Sequence, residues 1–333
     1  MAPTGLYQQF SSYFKNTEAD ALPPLSLAFA GALSVAYPIL YVLPFYLSST
    51  TRPSPTLSRD APSVIRARIR FVYISVTLAT LATVYILATR ANASNLDILR
   101  LLGWYPLGIV EVAKSLLLTA LLFTGPLFEA AVVESRWKDW IQGRALHESL
   151  SSWIGWRNFV AGPVTEEILF RSLLVPLHLL TPLSPTRVVL LTPLYFGIAH
   201  VHHFYEFVLT HPHTPWAPSI FRSLFQFTYT TMFGWYATFV FIRTGNVVAV
   251  ISAHTFCNWA GLPRLWGRVE PGVAIGGPTV RGKEDSGSEL GKERRAHWGW
   301  SVAYYVLLVT GAVAFQQCLW TLTESPRALA KVV

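Results

Sequence analysis

Charge is scarce in this chain of 333 residues. Asp, Glu, Lys and Arg make up 13% of it, about half the quarter usual in soluble domains. That shortage argues against a protein that covers its whole surface with water-facing groups. Cysteine is scarcer still: Cys257 and Cys318 stand in separate apolar stretches, and no Cys-x-x-Cys occurs. Neither a disulfide framework nor a cysteine zinc cluster is supported. The His-Glu-x-x-His signature of a metalloprotease helix is also missing, since His147-Glu148 lacks the second histidine. No segment repeats at the period of about 20–50 residues that marks a solenoid. The opening two dozen residues are mixed polar and end in Pro23-Pro24. No cleaved signal peptide is expected there, and the first apolar stretch is read as the targeting signal.

Apolar residues fill the space left by charge, at 52% of the chain. Successive long apolar windows predict an all-α polytopic membrane protein, with about eight transmembrane helices around an intramembrane catalytic cavity. The expected spans are 25–46, 71–89, 107–128, 159–180, 188–204, 220–242, 247–262 and 300–320. They divide the chain into a luminal segment 1–24, a first group of helices 25–157, a catalytic core 158–262, a cytosolic loop 263–297, and a last helix with its tail, 298–333. Formal net charge is +8. The loop 52–70 carries Arg52, Arg59, Arg66, Arg68 and Arg70 against a single Asp60, which assigns it to the cytosol. Loops 138–155 and 263–297 then share that side; the latter holds seven basic residues to five acidic ones. Its stretch 272–291, rich in Gly, Ser and charge, reads as a flexible loop. Topology signalling accounts for these charges without nucleic acid. Asn92-Ala93-Ser94 is a glycosylation sequon on the expected luminal side.

Three polar clusters interrupt the apolar pattern. The first is Glu166-Glu167 with Arg171. One charged residue at a membrane helix centre costs roughly 2.5–3.5 kcal/mol, and such residues usually face a cavity and serve function. Glu167 and Arg171 are four apart with the acid first, the favourable order for an ion pair on one helix face. Glu166 lies about 100° around the axis, so it is read as free for chemistry while Glu167 and Arg171 hold geometry. The second cluster is Phe196-Gly197-Ile198-Ala199-His200-Val201-His202-His203. The third is His254-Thr255-Phe256-Cys257-Asn258, which puts His254 and Asn258 on one face. Intramembrane ionisable groups seek one another, so all three are expected to converge.

Two chemistries suit that set. A zinc site could take Glu166, His200 and His254 as ligands, leaving Asn258 and the general base unexplained. Alternatively Glu166, desolvated by burial, acts as general base on a water held by His200. His254 and Asn258 then donate to the oxygen of a tetrahedral intermediate, at roughly 3–4 kcal/mol per donor. The outcome is peptide hydrolysis within the membrane, with no metal or other cofactor. Cys257 could be a thiol nucleophile if His254 reached it, but buried cysteine commonly behaves as a small hydrophobe. His202, His203 and Glu206 are read as a polar cluster at a helix end, Glu111 and Lys114 as an interfacial pair, His178 as a bonded core histidine, and His211 and His213 as loop residues.

These motifs resemble the type II CAAX prenyl endopeptidases: Glu-Glu-x-x-x-Arg (Glu166, Glu167, Arg171), Phe-x-x-x-His (Phe196, His200) and His-x-x-x-Asn (His254, Asn258). The runs Ala199-His200-Val201-His202-His203 and His254-Thr255-Phe256-Cys257-Asn258-Trp259 are most similar to the eukaryotic, Ras-converting branch. The resemblance covers roughly 159–261. It implies a metal-independent protease of the endoplasmic-reticulum membrane that removes the last three residues of proteins ending in C-a-a-X once their cysteine is prenylated. Partners would be prenylated CaaX proteins, such as Ras-like GTPases or lipidated peptide pheromones, together with membrane lipids and not nucleic acid. It assigns water activation to Glu166 and His200, the oxyanion hole to His254 and Asn258, and support to Glu167 and Arg171. Phe196, with Phe225, Phe227 and Tyr229, is expected on the lipid side of the cavity. The competing readings are a non-catalytic scaffold or prenyl-lipid-binding relative, a zinc-dependent membrane hydrolase, and a transporter. A scaffold should have lost Glu166 or His200, and a transporter should show interrupted helices in two halves.

Overall fold

The computed structural model describes residues 23–270 and 298–332, and every regular element among them is helical. The expected luminal segment up to residue 22, most of the loop 263–297 and the Gly- and Ser-rich stretch 272–291 lie outside the described residues. The main helices are α1 (Leu27–Val42), α2 (Pro62–Arg90), α3 (Ile109–Leu122), α4 (157–179), α5 (Pro185–Ala199), α6 (His202–Thr210), α7 (Trp216–Thr244), α8 (Val247–Ala260) and α9 (Trp298–Leu322). Polar side chains set several starts. Ser26 accepts from Phe29 N, Ser184 from Arg187 N ahead of Pro185, and Asn246 from Val248 N and Ala249 N. Each satisfies backbone donors that the first helical turn leaves open. α7 stops at Gly245, whose φ of +57° is left-handed and suits glycine. A Cβ there would also collide with the Arg327 carbonyl. With Asn246 capping immediately afterwards, α7 and α8 form a tight helical hairpin.

α4 lies at the centre. It is wound as a π turn Arg157–Ala161, an α stretch Gly162–Glu167, a second π turn Ile168–Leu173 and an α stretch Leu174–Leu179. Leu169, Phe170, Leu173, Leu174, Val175, Leu177 and Leu179 are all buried, so the second half of this helix is enclosed on every side, while its first half lines a cavity. α5 packs along α7, α1 packs on α2, α4 and α5, and α3 carries α8 and α9. α1, α2 and α9 turn apolar residues outward, among them Ile39, Leu81, Tyr85, Val306 and Val309.

Helices stand at all eight expected positions, but the count of eight spans is not reached. Among the described residues three are long and apolar enough to cross a membrane: Leu27–Leu47, Pro62–Arg90 and Trp298–Leu322. A fourth would be the pair Ile109–Leu122 and Thr124–Val133, bent by 81°. The inner helices fall short for a physical reason. Walled in by neighbours, they need not be long or lipid-like. α8 has 14 residues, about 21 Å at 1.5 Å each, against a hydrocarbon core of about 30 Å. The expected span 188–204 is also broken. α5 ends at Ala199, with Nδ1 of His200 on Phe196 O (2.8 Å) and Nδ1 of His202 on Ala199 O (2.6 Å). Histidines there satisfy carbonyls that the last turn leaves open.

Candidate active site

α4, α5 and α8 bring the polar clusters to one place. Glu166, His200 and Asn258 line a single cavity of about 190 Å³. That is below the ~300–1,000 Å³ of pockets for drug-sized ligands, room for a short stretch of peptide and water. Tyr41, Phe45, Asn158, Thr165, His202 and His203 complete much of the wall, with Arg59, Arg68 and Arg157. His200 Nδ1–H is used by the Phe196 carbonyl, so the neutral ring keeps its lone pair on Nε2. Among the described residues the Glu166 side chain has no hydrogen-bond partner, and its Oε2 lies 3.9 Å from His254 Nε2.

His254 does not line the cavity. It stands behind Glu166 with Nδ1 2.6 Å from Glu167 Oε1 and its ring against Phe233, centroids 4.6 Å apart. The same Glu167 oxygen accepts from Arg171 Nη1 at 2.9 Å. Glu167 and Arg171 are 0% and 1% exposed, so the i,i+4 pair forms although a π turn lies between them. Phe196 is also buried. It lies under the Arg171 guanidinium (4.4 Å to the ring centroid) and edge-on to His200 (4.5 Å), so its place is behind the cavity wall. A cation over an aromatic face is stabilised when desolvated. Phe225 is exposed on α7 and Phe227 lies over Gly197; with Tyr229, neither lines this cavity.

Asn258 has a second attachment that sequence spacing does not reveal. The π turn Arg157–Ala161 turns carbonyls away from the helix ladder, and two are met from α8. Asn258 Nδ2 donates to Asn158 O and Thr255 Oγ1 to Phe159 O, both at 2.9 Å. Its amide keeps one further N–H. Tyr41 and Thr165 are joined by a 2.8 Å hydroxyl contact, and neither carried a sequence signal. Arg59 and Arg68 did, as topology charges, a reading that hid their place at the cavity.

Other candidates fall elsewhere. His203 Nδ1 (3.1 Å), Arg59 (3.2 Å) and Arg68 (2.9 Å) all bind Glu206. Burial alone would raise the Glu206 carboxyl, but the His203 hydrogen bond and the two arginine charges outweigh it and hold it below the usual carboxylate range. Among the described residues no three His, Cys, Asp or Glu side chains are placed to share a metal ion. Glu166, His200 and His254 are thus not gathered into the zinc set weighed as an alternative. Cys257 is a free thiol without a hydrogen bond to His254. His178 is a bonded core residue, on Leu174 O at 3.1 Å and Ser34 Oγ at 3.5 Å. Glu111 and Lys114 do not pair with each other. Glu111 binds Ser325 and Arg327, and Lys114 donates to Glu324 O, because the C-terminal tail folds back over α3.

The model of the family described as Type II CAAX prenyl endopeptidase Rce1-like matches residues 148–260. The chain is 35% identical to the "Probable CAAX prenyl protease 2" of Schizosaccharomyces pombe over 237 residues, 71% of this chain and 82% of that protein. It is 32% identical to the "CAAX prenyl protease 2" of Arabidopsis thaliana, covering 73% and 82%. With the Homo sapiens protein of that name it shares 34%, covering 64% and 66%. No solved structure matches the chain significantly.

Proposed function

The chain belongs to the type II CAAX prenyl endopeptidase family, and we propose that it is an intramembrane endopeptidase removing the aaX tripeptide from prenylated C-a-a-X proteins. The observation that carries this reading is Glu166. It is a carboxylate without a hydrogen-bond partner among the described residues, on the wall of a small cavity that it shares with the open Nε2 side of His200. Water between the two would give a proton to Glu166, while its oxygen adds to the carbonyl carbon of the prenyl-cysteine. The remaining amide N–H of Asn258 would donate to the developing oxyanion. His254, held by Glu167 at Nδ1 and 3.9 Å from Glu166 at Nε2, would take that proton from Glu166 and return it, leaving the oxyanion to Asn258 in this reading. Collapse breaks the C–N bond, and the proton passes to the leaving amine of the tripeptide.

The substrate class follows from the same family. A prenyl chain gains about 0.8 kcal/mol per buried CH₂ in the bilayer, so Ras-like GTPases or lipidated pheromones would arrive already in the membrane. The arginine-rich loop 52–70 faces the cytosol in this reading, and the membrane is that of the endoplasmic reticulum. Membranes containing the protein should release tripeptide from a prenylated C-a-a-X peptide and not from its unprenylated counterpart. Release from neither would overturn the reading.

A further inference from the structure

We propose that Arg59, assisted by Arg157, binds the free α-carboxylate at the C-terminus of the substrate, and so fixes the cut three residues from the chain end. The inference rests on the proteolytic reading above and goes on to assign where the far end of the leaving tripeptide sits.

The charge on the cavity wall carries it. Arg59, Arg68 and Arg157 line the cavity together, and Glu166 is the only carboxylate among the lining residues. The acids that pair with these arginines, Asp60 and Glu206, lie outside the lining. Asp60 and Glu206 balance much of that charge from behind, but the face turned to the cavity offers guanidinium N–H groups and, besides Glu166, no carboxylate oxygen.

The three arginines are not equally available. Arg68 is pinned: Nε and Nη2 donate to Thr51 O, Nη2 also binds Glu206, and the side chain is 12% exposed. Arg157 holds Asn158 Oδ1 through Nε, and Asp60 and the Arg59 carbonyl through Nη1, which leaves Nη2 open. Arg59 makes one side-chain hydrogen bond, from Nη1 to Glu206 at 3.2 Å, and is 41% exposed. Its Nε and Nη2 are open on the free edge of a planar fork, whose geometry matches a carboxylate. Glu206 and Asp60 orient the two open guanidiniums without occupying them.

The ligand that fits is the terminal carboxylate. An extended tripeptide spans about 10 Å at roughly 3.3–3.6 Å per residue. A carboxylate clamp about that far from the water-activating pair would measure out three residues.

The test compares a prenylated C-a-a-X peptide with its C-terminal amide, on full-length protein in membranes. Charge-assisted hydrogen bonds of this kind correspond to about a ten- to hundredfold preference for the acid in kcat/KM, expressed mainly in KM. Arg59→Gln should raise KM for the acid and leave the amide unchanged, and Arg59→Lys should restore part of the preference. Equal cleavage of acid and amide by the unaltered protein would overturn the clamp while leaving the protease intact. So would an Arg59→Gln variant that loses kcat on both peptides alike. Cleavage of neither by the unaltered protein would overturn the protease reading and the clamp with it.

Discussion

Glu167 Oε1 lies 2.6 Å from His254 Nδ1 and 2.9 Å from Arg171 Nη1. One carboxylate oxygen thus joins α4 to α8 and neutralises a fully buried guanidinium. Glu166, its neighbour in sequence, makes no such hydrogen bond and approaches His254 only at Nε2, 3.9 Å away.

That difference predicts different fates for the two glutamates. Glu166→Gln should abolish turnover in a protein that keeps its unfolding temperature. Glu167→Gln strands Arg171 and loosens His254, and should cost about 3–5 kcal/mol of stability as well as activity. Thermal unfolding and tripeptide release, measured on both variants, separate the roles. Equal loss of activity at unchanged stability would end the division of labour.

Asn258 is placed to act twice, on the oxyanion and on the Asn158 carbonyl, and Thr255 provides the control. Asn258→Ala should lower kcat by about 100- to 1,000-fold with little change in KM. Thr255→Val removes the neighbouring tie to Phe159 O, where no cavity group is touched. It should keep kcat near that of the unaltered protein and cost about 1 kcal/mol of stability. If Asn258→Ala resembles Thr255→Val, Asn258 is a clamp between helices and nothing more.

Chelators should leave turnover intact, and a Cys257→Ala variant should stay active. Loss of activity with chelator, restored by zinc, would replace the water-activating base with a metal centre. An inactive but folded Cys257→Ala protein would make the thiol the nucleophile.

Glu206 sets an acid limit on the arginine rim. Its carboxyl is held below the ordinary range in the folded protein. The stability it contributes is therefore complete above the unfolded value of about 4.3 and is lost as pH falls through the folded value. Unfolding temperature should drop on acidification below about pH 4.3, and the drop should be shallower in Glu206→Gln. Parallel curves for the two proteins would show that the rim does not report Glu206.

Much of the site is legible in the sequence because it is local. Glu167 and Arg171 share one helix, as do His254 and Asn258, and a fixed residue spacing places each pair. What joins the helices is not local. The contact of Glu167 with His254 crosses 87 positions, and no periodicity reports it. The π turn Arg157–Ala161 was hidden for another reason: the carbonyls it releases belong to backbone, so Asn258 showed no sign of its tie to Asn158. The place of Arg59 and Arg68 at the cavity goes unseen, since a loop that signals topology by its charge needs no further explanation. The count of spans goes unconfirmed where hydropathy stops being informative. A helix such as α8, shielded by α3 and α7, meets protein and not lipid.

The size of the cavity bears on how the protein would tell one lipid from another. At about 190 Å³ the cavity is small beside an isoprenoid and a peptide together, which suits a substrate whose tail stays among lipids. A longer tail then cannot be rejected by a wall. It acts through partition, at about 0.8 kcal/mol per buried CH₂, and raises the two-dimensional concentration of substrate around the protein. Choice between farnesyl and geranylgeranyl proteins would accordingly follow their abundance in the membrane rather than a fit.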